Sequence, residues 1–224
     1  MGFYIISYVN SEISINYCDC IEELRDNFHY GVDDKTLLLE FREKKCPIKI
    51  TDIENYENVL ENCQLGFIAE KFFRDACLKS SLITIKVEQS KESYIFYKSI
   101  FEGRYIKRPD YYILNKDIFV EVKARSKEAC KGYFFSILKE DLEAYRLFQE
   151  YSLKKLLFAI YRISETRTVL EETLAMIALD DINIKNKYVY EKENFYVIDE
   201  KAFVKGLDKI LNMRLKKSRS KRFK

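Results

Sequence analysis

The sequence predicts an α/β protein with a mixed central sheet flanked by helices, and three features support this fold class. Residues 55–78 carry apolar side chains at spacings of three and four, which is typical of an amphipathic helix. Several segments rich in β-branched and aromatic residues follow between residues 82 and 138. Residues 139–151 then show a second helical pattern, and residues 156–163 form the nearly continuous apolar run of a strand covered on both faces.

The remaining elements are predicted from local patterns. Near the N-terminus we expect a short strand at residues 3–9, a helix at 19–28, and a strand or helix at 35–42. The β-rich segments are interpreted as successive strands of one sheet: 82–87, 94–101, 110–114, 118–123 and 134–138. A strand at 195–198 and a final helix at 202–211 complete the prediction.

The composition and the N-terminal residues predict an intracellular protein that does not span a membrane. Of the 224 residues, 47% are hydrophobic and 33% are charged, which is ordinary for a soluble folded chain. No apolar run approaches the length that spans a bilayer, and the N-terminus lacks the basic start and cleavage site of a secretory signal. We therefore expect a cytoplasmic protein with no membrane partner, or a nuclear one if the source is eukaryotic.

Cysteine and histidine usage excludes the metal sites that depend on these residues. The six cysteines include one CxC pair, Cys18 and Cys20, but none of the CxxC groups of a zinc or iron–sulfur site. We interpret them as free thiols in a reducing compartment. His29 is the only histidine, so a site with several histidines is excluded.

The C-terminal residues 214–224 are strongly basic. They include seven Lys or Arg residues and no acidic residue, beginning with Arg214, Lys216 and Lys217. Such a tail suits attraction to phosphate backbones, because each neutralised phosphate releases counterions. A solubilising terminus or a nuclear address is an equal alternative.

The segment RPDYYILNKDIFVEVKARS predicts a β-hairpin. Pro109 suits the start of a strand, and Asn115-Lys116 is the polar point between two alternating runs. A two-residue turn at that point places Asp110 directly opposite Glu121. A three-residue loop would shift the pairing by one residue and place the two carboxylates on opposite faces.

The predicted pairing divides the hairpin into two faces. Asp110, Glu121 and Lys123 share one face, because side chains alternate with a period of two. The other face is apolar and consists of Tyr111, Ile113, Ile118, Val120 and Val122.

Two carboxylates directly opposite each other destabilise a sheet unless a cation lies between them. Mg²⁺ or Mn²⁺ suits Asp110 and Glu121, with the backbone carbonyl of Val122 as a further ligand. Lys123 projects to the same side, where an ammonium group can orient the attacking water and balance charge on a phosphate. The alternative is a surface hairpin in which Glu121 and Lys123 form only an exposed ion pair.

With Pro109-Asp110, ten intervening residues and then Glu121-Val122-Lys123, the segment resembles the PD-(D/E)xK nuclease superfamily. The resemblance implies a restriction-endonuclease-like α-β-β-β-α-β core. It also implies Asp110 and Glu121 as metal ligands, Lys123 as the catalytic lysine, and hydrolysis of a nucleic-acid phosphodiester.

Glu70 is the candidate fourth member of the site. Its surroundings, Gly66-Phe67-Ile68-Ala69-Glu70, are similar to the Gly-x-x-Ala-Glu context in the junction-resolvase-like branch of that superfamily, whose first core helix often supplies a glutamate. The resemblance implies a catalytic and metal-binding role for Glu70. A solvated glutamate paired with Arg74 is the alternative.

Some branches of the superfamily carry Gln-x-x-x-Tyr on the second core helix, of which residues 141–145 keep only Tyr145. We include Tyr145 among the candidate nucleic-acid contacts. Lys127, Lys131 and Lys139 follow the motif and are further candidates, although scattered exposed charge explains them equally well. The basic residues Arg214, Lys216 and Lys217 complete the set.

The domain organisation expected from this resemblance has four parts. Residues 55–163 form the nuclease core, and residues 1–54 form an N-terminal appendage for recognition or dimerisation. Residues 164–213 form a C-terminal α/β extension, which the basic tail at 214–224 follows.

The resulting hypothesis is a nuclease that depends on Mg²⁺ or Mn²⁺ and acts on DNA, more specifically an endonuclease. An RNA endonuclease of related fold and a catalytically silent nucleic-acid-binding module remain alternatives. An unrelated interaction protein with a chance motif is a third, and it predicts no metal binding. A homodimer stays open.

Overall fold

The computed structural model describes residues 2–9, 12–18, 35–41, 44–48, 56–89, 100 and 104–213. The chain divides into two compact units, Met1–Leu65 and Gly66–Lys224. No helix among the described residues is long and apolar enough to cross a membrane.

The first unit contains a four-stranded antiparallel sheet. Its strands are β1 (Gly2–Val9), β2 (Glu12–Cys18), β3 (Lys35–Phe41) and β4 (Lys44–Ile48), in the spatial order β2-β1-β3-β4. The strand predicted at 3–9 is present, and residues 35–41 form a strand rather than a helix. The helix predicted at 19–28 lies outside the described residues.

Helix α1 (Tyr56–Lys79) begins in the first unit and ends in the second. In the described part of the second unit, four strands, a helix, five further strands and a short helix follow along the chain. In chain order they are β5 (Thr84–Lys86), β6 (Tyr111–Ile113), β7 (Ile118–Arg125), β8 (Phe135–Leu138), α2 (Lys139–Ser152), β9 (Lys155–Ile163), β10 (Val169–Ala178), β11 (Val189–Glu191), β12 (Phe195–Ile198), β13 (Val204–Lys205) and α3 (Asp208–Leu211).

The central sheet has six strands in the order β13-β10-β9-β7-β6-β5. Strands β7 and β9 pair in parallel, whereas the other neighbours pair antiparallel. A parallel pair needs a long crossover connection, and β8 and α2 form it here. The predicted α/β fold with a mixed central sheet flanked by helices is confirmed.

One face of the sheet packs against α1 and is called the α1 face. The Phe73 ring lies 5.8 Å from the Tyr111 ring, and the Phe72 ring lies 6.2 Å from the Tyr161 ring, centroid to centroid. Cys77 of the same helix is fully buried, and burial raises the pKa of its thiol to about 12. Aromatic contacts of this kind hold the helix on the sheet by removing apolar surface from water.

The opposite face packs against α2 and is called the α2 face. The Tyr145 ring of α2 meets the Phe158 ring edge-on at 5.2 Å, and Phe148 meets Phe119 edge-on at 5.0 Å. Buried side chains of β8, β9 and β10 extend this core, including Phe135, Ile137, Leu156, Ile160 and Ile177.

The assignment of residues 134–138 to the central sheet is wrong. Strand β8 belongs to a separate three-stranded antiparallel sheet with the order β11-β12-β8. Its buried residues Phe135 and Ile137 face the core on the α2 face, so this small sheet covers the central one. The strand predicted at 94–101 falls mostly outside the described residues.

The helix predicted at 202–211 is also wrong for most of its length. Residues Glu200–Ala202 form a short 3₁₀ helix and β13 follows, so only Asp208–Leu211 are α-helical. The reason is Gly206, which has a φ of +60° and donates its N–H to the carbonyl of Leu174 at 2.7 Å. Glycine adopts this left-handed conformation at little cost, and it ends the strand that pairs with β10.

Phe73→Ala should destabilise the protein by about 3–5 kcal/mol, because it leaves a cavity between α1 and the sheet. Phe73 has no exposed surface. Leu78→Ala is the matched control on the same helix, since Leu78 is 76% exposed and its loss should cost less than about 0.5 kcal/mol. Urea unfolding measures both. Equal losses would contradict the packing of α1 described above.

Candidate functional site

The β6–β7 hairpin has the register predicted from the sequence. Tyr111 pairs with Val120 and Ile113 pairs with Ile118. The turn differs from the prediction, because residues 114–117 form a four-residue loop in which Asp117 has a φ of +58°. The register is unchanged, since this loop is centred on the same point as a two-residue turn. The five apolar residues predicted for one face are all buried.

Three hydrogen bonds fix the main chain and carboxylate of Asp110 beside β7. The Val87 N–H donates to the Asp110 carbonyl at 2.9 Å, and the Gln89 amide donates to the Pro109 carbonyl at 2.9 Å. The Val122 N–H donates to Oδ2 of Asp110 at 2.8 Å. The Asp110 carboxylate is therefore held across the hairpin from Glu121.

Glu121 is 3% exposed and is the one polar or charged residue that is buried in the described part of the chain. Its Oε1 forms an ion pair with Nζ of Lys123. Its Oε2 is buried and has no hydrogen-bond partner among the described residues. A buried carboxylate oxygen without a partner is costly, so this atom is oriented toward a ligand or pays a desolvation penalty.

The surroundings of Glu121 explain its burial. Glu121 is paired in the parallel register with Phe158, and Tyr145 packs edge-on against the same Phe158 ring. Tyr145 is 2% exposed. Burial raises the pKa of the Tyr145 hydroxyl well above its usual range, and the charge of Glu121 raises it further. Tyr145 thus stays protonated beside this carboxylate.

The carboxylates of Asp110 and Glu121 lie close enough to shift the pKa values of the groups in the site. Burial raises the pKa of Asp110 well above its usual range, and the charge of Glu121 raises it further against the opposing effect of Lys123. Burial alone would lower the pKa of Lys123, but Glu121 and Asp110 outweigh burial and raise it. Lys123 is therefore charged, and one ammonium group faces two carboxylates.

The donor set fits a hard divalent cation with a small number of protein ligands. Asp110 and Glu121 supply carboxylates on one face of the hairpin, and Oε2 of Glu121 lacks a partner among the described side chains. No group of three or more His, Cys, Asp or Glu residues that could hold a metal occurs in the described ranges. Mg²⁺ commonly binds through one or two carboxylates and keeps several waters, so two carboxylates are sufficient.

Glu70 lies on α1 and reaches the other side of the sheet. Its Oε2 accepts a hydrogen bond from Nζ of Lys86 at 2.9 Å, and its charge adds to burial in raising the pKa of Tyr111. Lys86 and Tyr111 are cross-strand partners on the α1 face. The charge of Glu70 still raises the pKa of Asp110, so it lies near the site without sharing its face.

The candidate nucleic-acid contacts lie in different surroundings. Nζ of Lys131 lies 3.8 Å from the centroid of the Phe195 ring, and Nζ of Lys139 lies 2.6 Å from Oε1 of Glu191. Lys127 is exposed and lines an open cleft. Tyr145 is directed at Glu121 rather than at solvent. Arg214, Lys216 and Lys217 lie outside the described residues.

Gln89 is a site residue that the sequence did not reveal. Its amide holds the Pro109 carbonyl next to Asp110, although the two residues are separated by twenty positions. No local pattern signals such a contact. The direction of Tyr145 toward Glu121 was equally hidden, because helix periodicity does not identify the strand residue that a side chain meets.

Comparison with known proteins adds little. No family model matches the chain, and no curated protein matches it. One similar solved structure is that of Hjc, a Holliday junction resolvase from the archaeal hyperthermophile Archaeoglobus fulgidus. The TM-score is 0.38 and the identity 11%, over 63% of this chain and 94% of that one. Nothing about activity follows from a likeness of this size.

Asp110→Asn should stabilise the metal-free protein at neutral and alkaline pH. Folding raises the Asp110 pKa, so its contribution to stability is fully present below the unfolded-state pKa and is lost as the pH rises through the folded-state pKa. The asparagine variant escapes this loss. In EDTA, its urea midpoint should exceed that of wild type at about pH 8, and the difference should disappear near pH 4.

Asp117→Asn is the matched control on the same hairpin. Hydrogen bonds from Lys154 and Tyr112 lower the Asp117 pKa. Its contribution is therefore present above the unfolded-state pKa and is lost as the pH falls through the folded-state pKa. The control should be no more stable than wild type at about pH 8. The same gain in both variants would show that Asp110 is not the strained carboxylate.

Proposed function

We propose that this chain is a divalent-metal-dependent nuclease, and more specifically an endonuclease of DNA. The observation that carries the proposal is the pair of carboxylates at the open end of the β6–β7 hairpin. Glu121 is almost fully buried, and its Oε2 has no hydrogen-bond partner among the described residues; Asp110 is held opposite it, and Lys123 extends from the same face. A purely structural ion pair would not need the second carboxylate.

Each side chain has a role that follows from its position. Asp110 and Glu121 would hold Mg²⁺ or Mn²⁺, together with the carbonyl of Val122. The bound ion supplies Lewis-acid polarisation of a phosphoryl oxygen and a more acidic water. Lys123 provides a fixed positive charge where the attacked phosphate gains negative charge. Tyr145 lies beside Glu121 and limits the positions that its carboxylate can take.

Glu70 is assigned a supporting role in the same proposal. Its ion pair with Lys86 holds the α1 side of the site, and its charge acts on Asp110 through space. Movement of Glu70 away from Lys86 would be needed for direct binding to the ion. The basic C-terminal residues 214–224 would strengthen binding to the phosphate backbone of the substrate, because each neutralised phosphate releases counterions.

Purified wild-type protein should cut DNA in Mg²⁺ or Mn²⁺ and not in EDTA. Asp110→Ala and Lys123→Ala should each lower the rate by about 10²-fold or more, because each removes a group required at the reacting phosphate. The assay compares supercoiled plasmid, linear duplex, branched DNA and single-stranded RNA.

Asp117→Ala serves as the control, since it removes a hairpin carboxylate that pairs with Lys154 on the surface instead of facing the site. It should retain wild-type activity. Cutting of RNA alone would replace DNA by RNA as the substrate. Binding of DNA without cutting in any metal would reject the nuclease and leave a binding module.

Mg²⁺ should also raise the unfolding temperature of the wild-type protein. Binding to the folded state alone stabilises by about 2.7 kcal/mol when the ion is present at about 100 times its Kd. Asp110→Asn should abolish this gain, whereas Asp117→Asn should keep it. Differential scanning calorimetry with Mg²⁺ and with EDTA measures both. A gain of the same size in Asp110→Asn would place the ion elsewhere.

A further inference from the structure

Beyond the carboxylate pair, β7 places two cationic side chains, Lys123 and Arg125, on the α2 face. Glu121, Lys123 and Arg125 alternate onto this face along β7, and the charge of Arg125 is close enough to act on Lys123. The strand advances by roughly 7 Å for every two residues. The positive charge therefore extends from the site toward the carboxyl end of β7.

The row ends in an unfavourable pairing. Arg125 lies directly opposite Arg162 in the parallel register of β7 and β9. Like charges opposite each other destabilise a sheet. Neither guanidinium forms an ion pair with any residue in the described ranges. The pair thus presents positive charge that the described residues do not neutralise.

Arg162 is held in a fixed orientation. Its Nη1 donates to the Phe134 carbonyl at 2.7 Å, and its Cζ lies 5.1 Å from the centroid of the Phe134 ring. These two contacts leave further N–H donors of the guanidinium unused, since it has five. A guanidinium held on an aromatic ring is suited to bind phosphate oxygens.

Arg162 lines a cleft of about 610 Å³ at the carboxyl ends of β7 and β9. The cleft is also lined by Lys127, which is exposed and makes no ion pair with a described residue. Clefts at the carboxyl ends of parallel strands are common ligand sites in α/β proteins. This volume lies within the range of sites that bind small molecules or segments of a polymer.

Acidic residues line the same cleft, and two of them have partners among the described residues. Asp199 accepts a hydrogen bond from the Lys201 N–H at 2.9 Å, and Glu200 lies 4.0 Å from Nζ of Lys205. Glu172 and Asp199 remain as the acids that would oppose an anion, because the neutral N–H bound to Asp199 does not cancel its charge, whereas Lys205 offsets Glu200.

We infer that the cleft is a second phosphate-binding subsite, in which Arg162 and Lys127 hold the backbone of the strand being cut. This inference rests on the proposed function, and it predicts the path of the substrate strand across the protein. The strand runs from the carboxylate pair past Lys123 and Arg125 into the cleft. Nucleotides on that side of the scissile bond are therefore needed for tight binding.

The test measures binding of a fluorescent 30-nucleotide DNA duplex to the full chain in EDTA, over a series of salt concentrations. Lys127→Gln should weaken binding about threefold to tenfold and reduce the slope of log K against log salt by about one, because one phosphate contact is lost. Glu172→Gln should tighten binding, since it removes a repelling charge. Arg162→Gln should weaken binding as Lys127→Gln does, after its melting temperature is checked.

Lys155→Gln is the matched control. Lys155 is an exposed lysine at the opposite end of β9 from Arg162, so its removal should leave the slope unchanged. In Mg²⁺, Lys127→Gln should raise KM by the same factor and leave kcat within about twofold of wild type, because uniform binding is lost. If Lys127→Gln behaves like Lys155→Gln and Glu172→Gln has no effect, the inference is wrong.

The two proposals fail in different ways. Wild-type cutting with no effect of the cleft variants would overturn only the subsite. A reduced salt slope in Lys127→Gln without cutting by wild type would support the subsite and overturn the nuclease. Absence of both binding and cutting would overturn both.

Discussion

The opposition of Asp110 and Glu121 across the hairpin is the constraint on which the site depends. A sheet can place two carboxylates side by side only where other interactions outweigh their repulsion. Here the apolar partner face of the hairpin is completely buried, and the Val122 N–H and the Val87 N–H tie Asp110 to its neighbours. The rest of the fold therefore stabilises a local arrangement that is unfavourable without a cation.

The two faces of the central sheet differ in role: one packs against α1, and the other carries the charged residues of the candidate site. The α1 face is filled with aromatic and aliphatic contacts, of which Phe73 on Tyr111 is representative. The α2 face is apolar around Phe158 but becomes charged along β7, from Glu121 to Arg125. A helix and a small sheet cover the apolar part and leave the carboxyl ends of β7 and β9 open as a cleft.

The sequence was informative where the pattern is local. Strict alternation around Asn115 determined the hairpin register, and the faces of Asp110, Glu121 and Lys123 followed from that register. Strand β10 escaped prediction because its register shifts between Leu170 and Ala175, so the alternation of a regular strand is absent. The ion pair of Glu70 with Lys86 could not be foreseen, since helix spacing shows which side a residue occupies but not its partner in the sheet. The roles of the site residues, including Glu70, remain proposals.

The reactivity of the Cys77 thiol reports whether α1 is packed on the sheet. Thiol reagents attack the thiolate, and a thiol whose pKa is raised to about 12 contains almost none at neutral pH. Cys77 is also sealed from solvent. Alkylation at this position would therefore occur only in molecules whose helix has separated from the sheet, and its rate would follow the free energy of that opening.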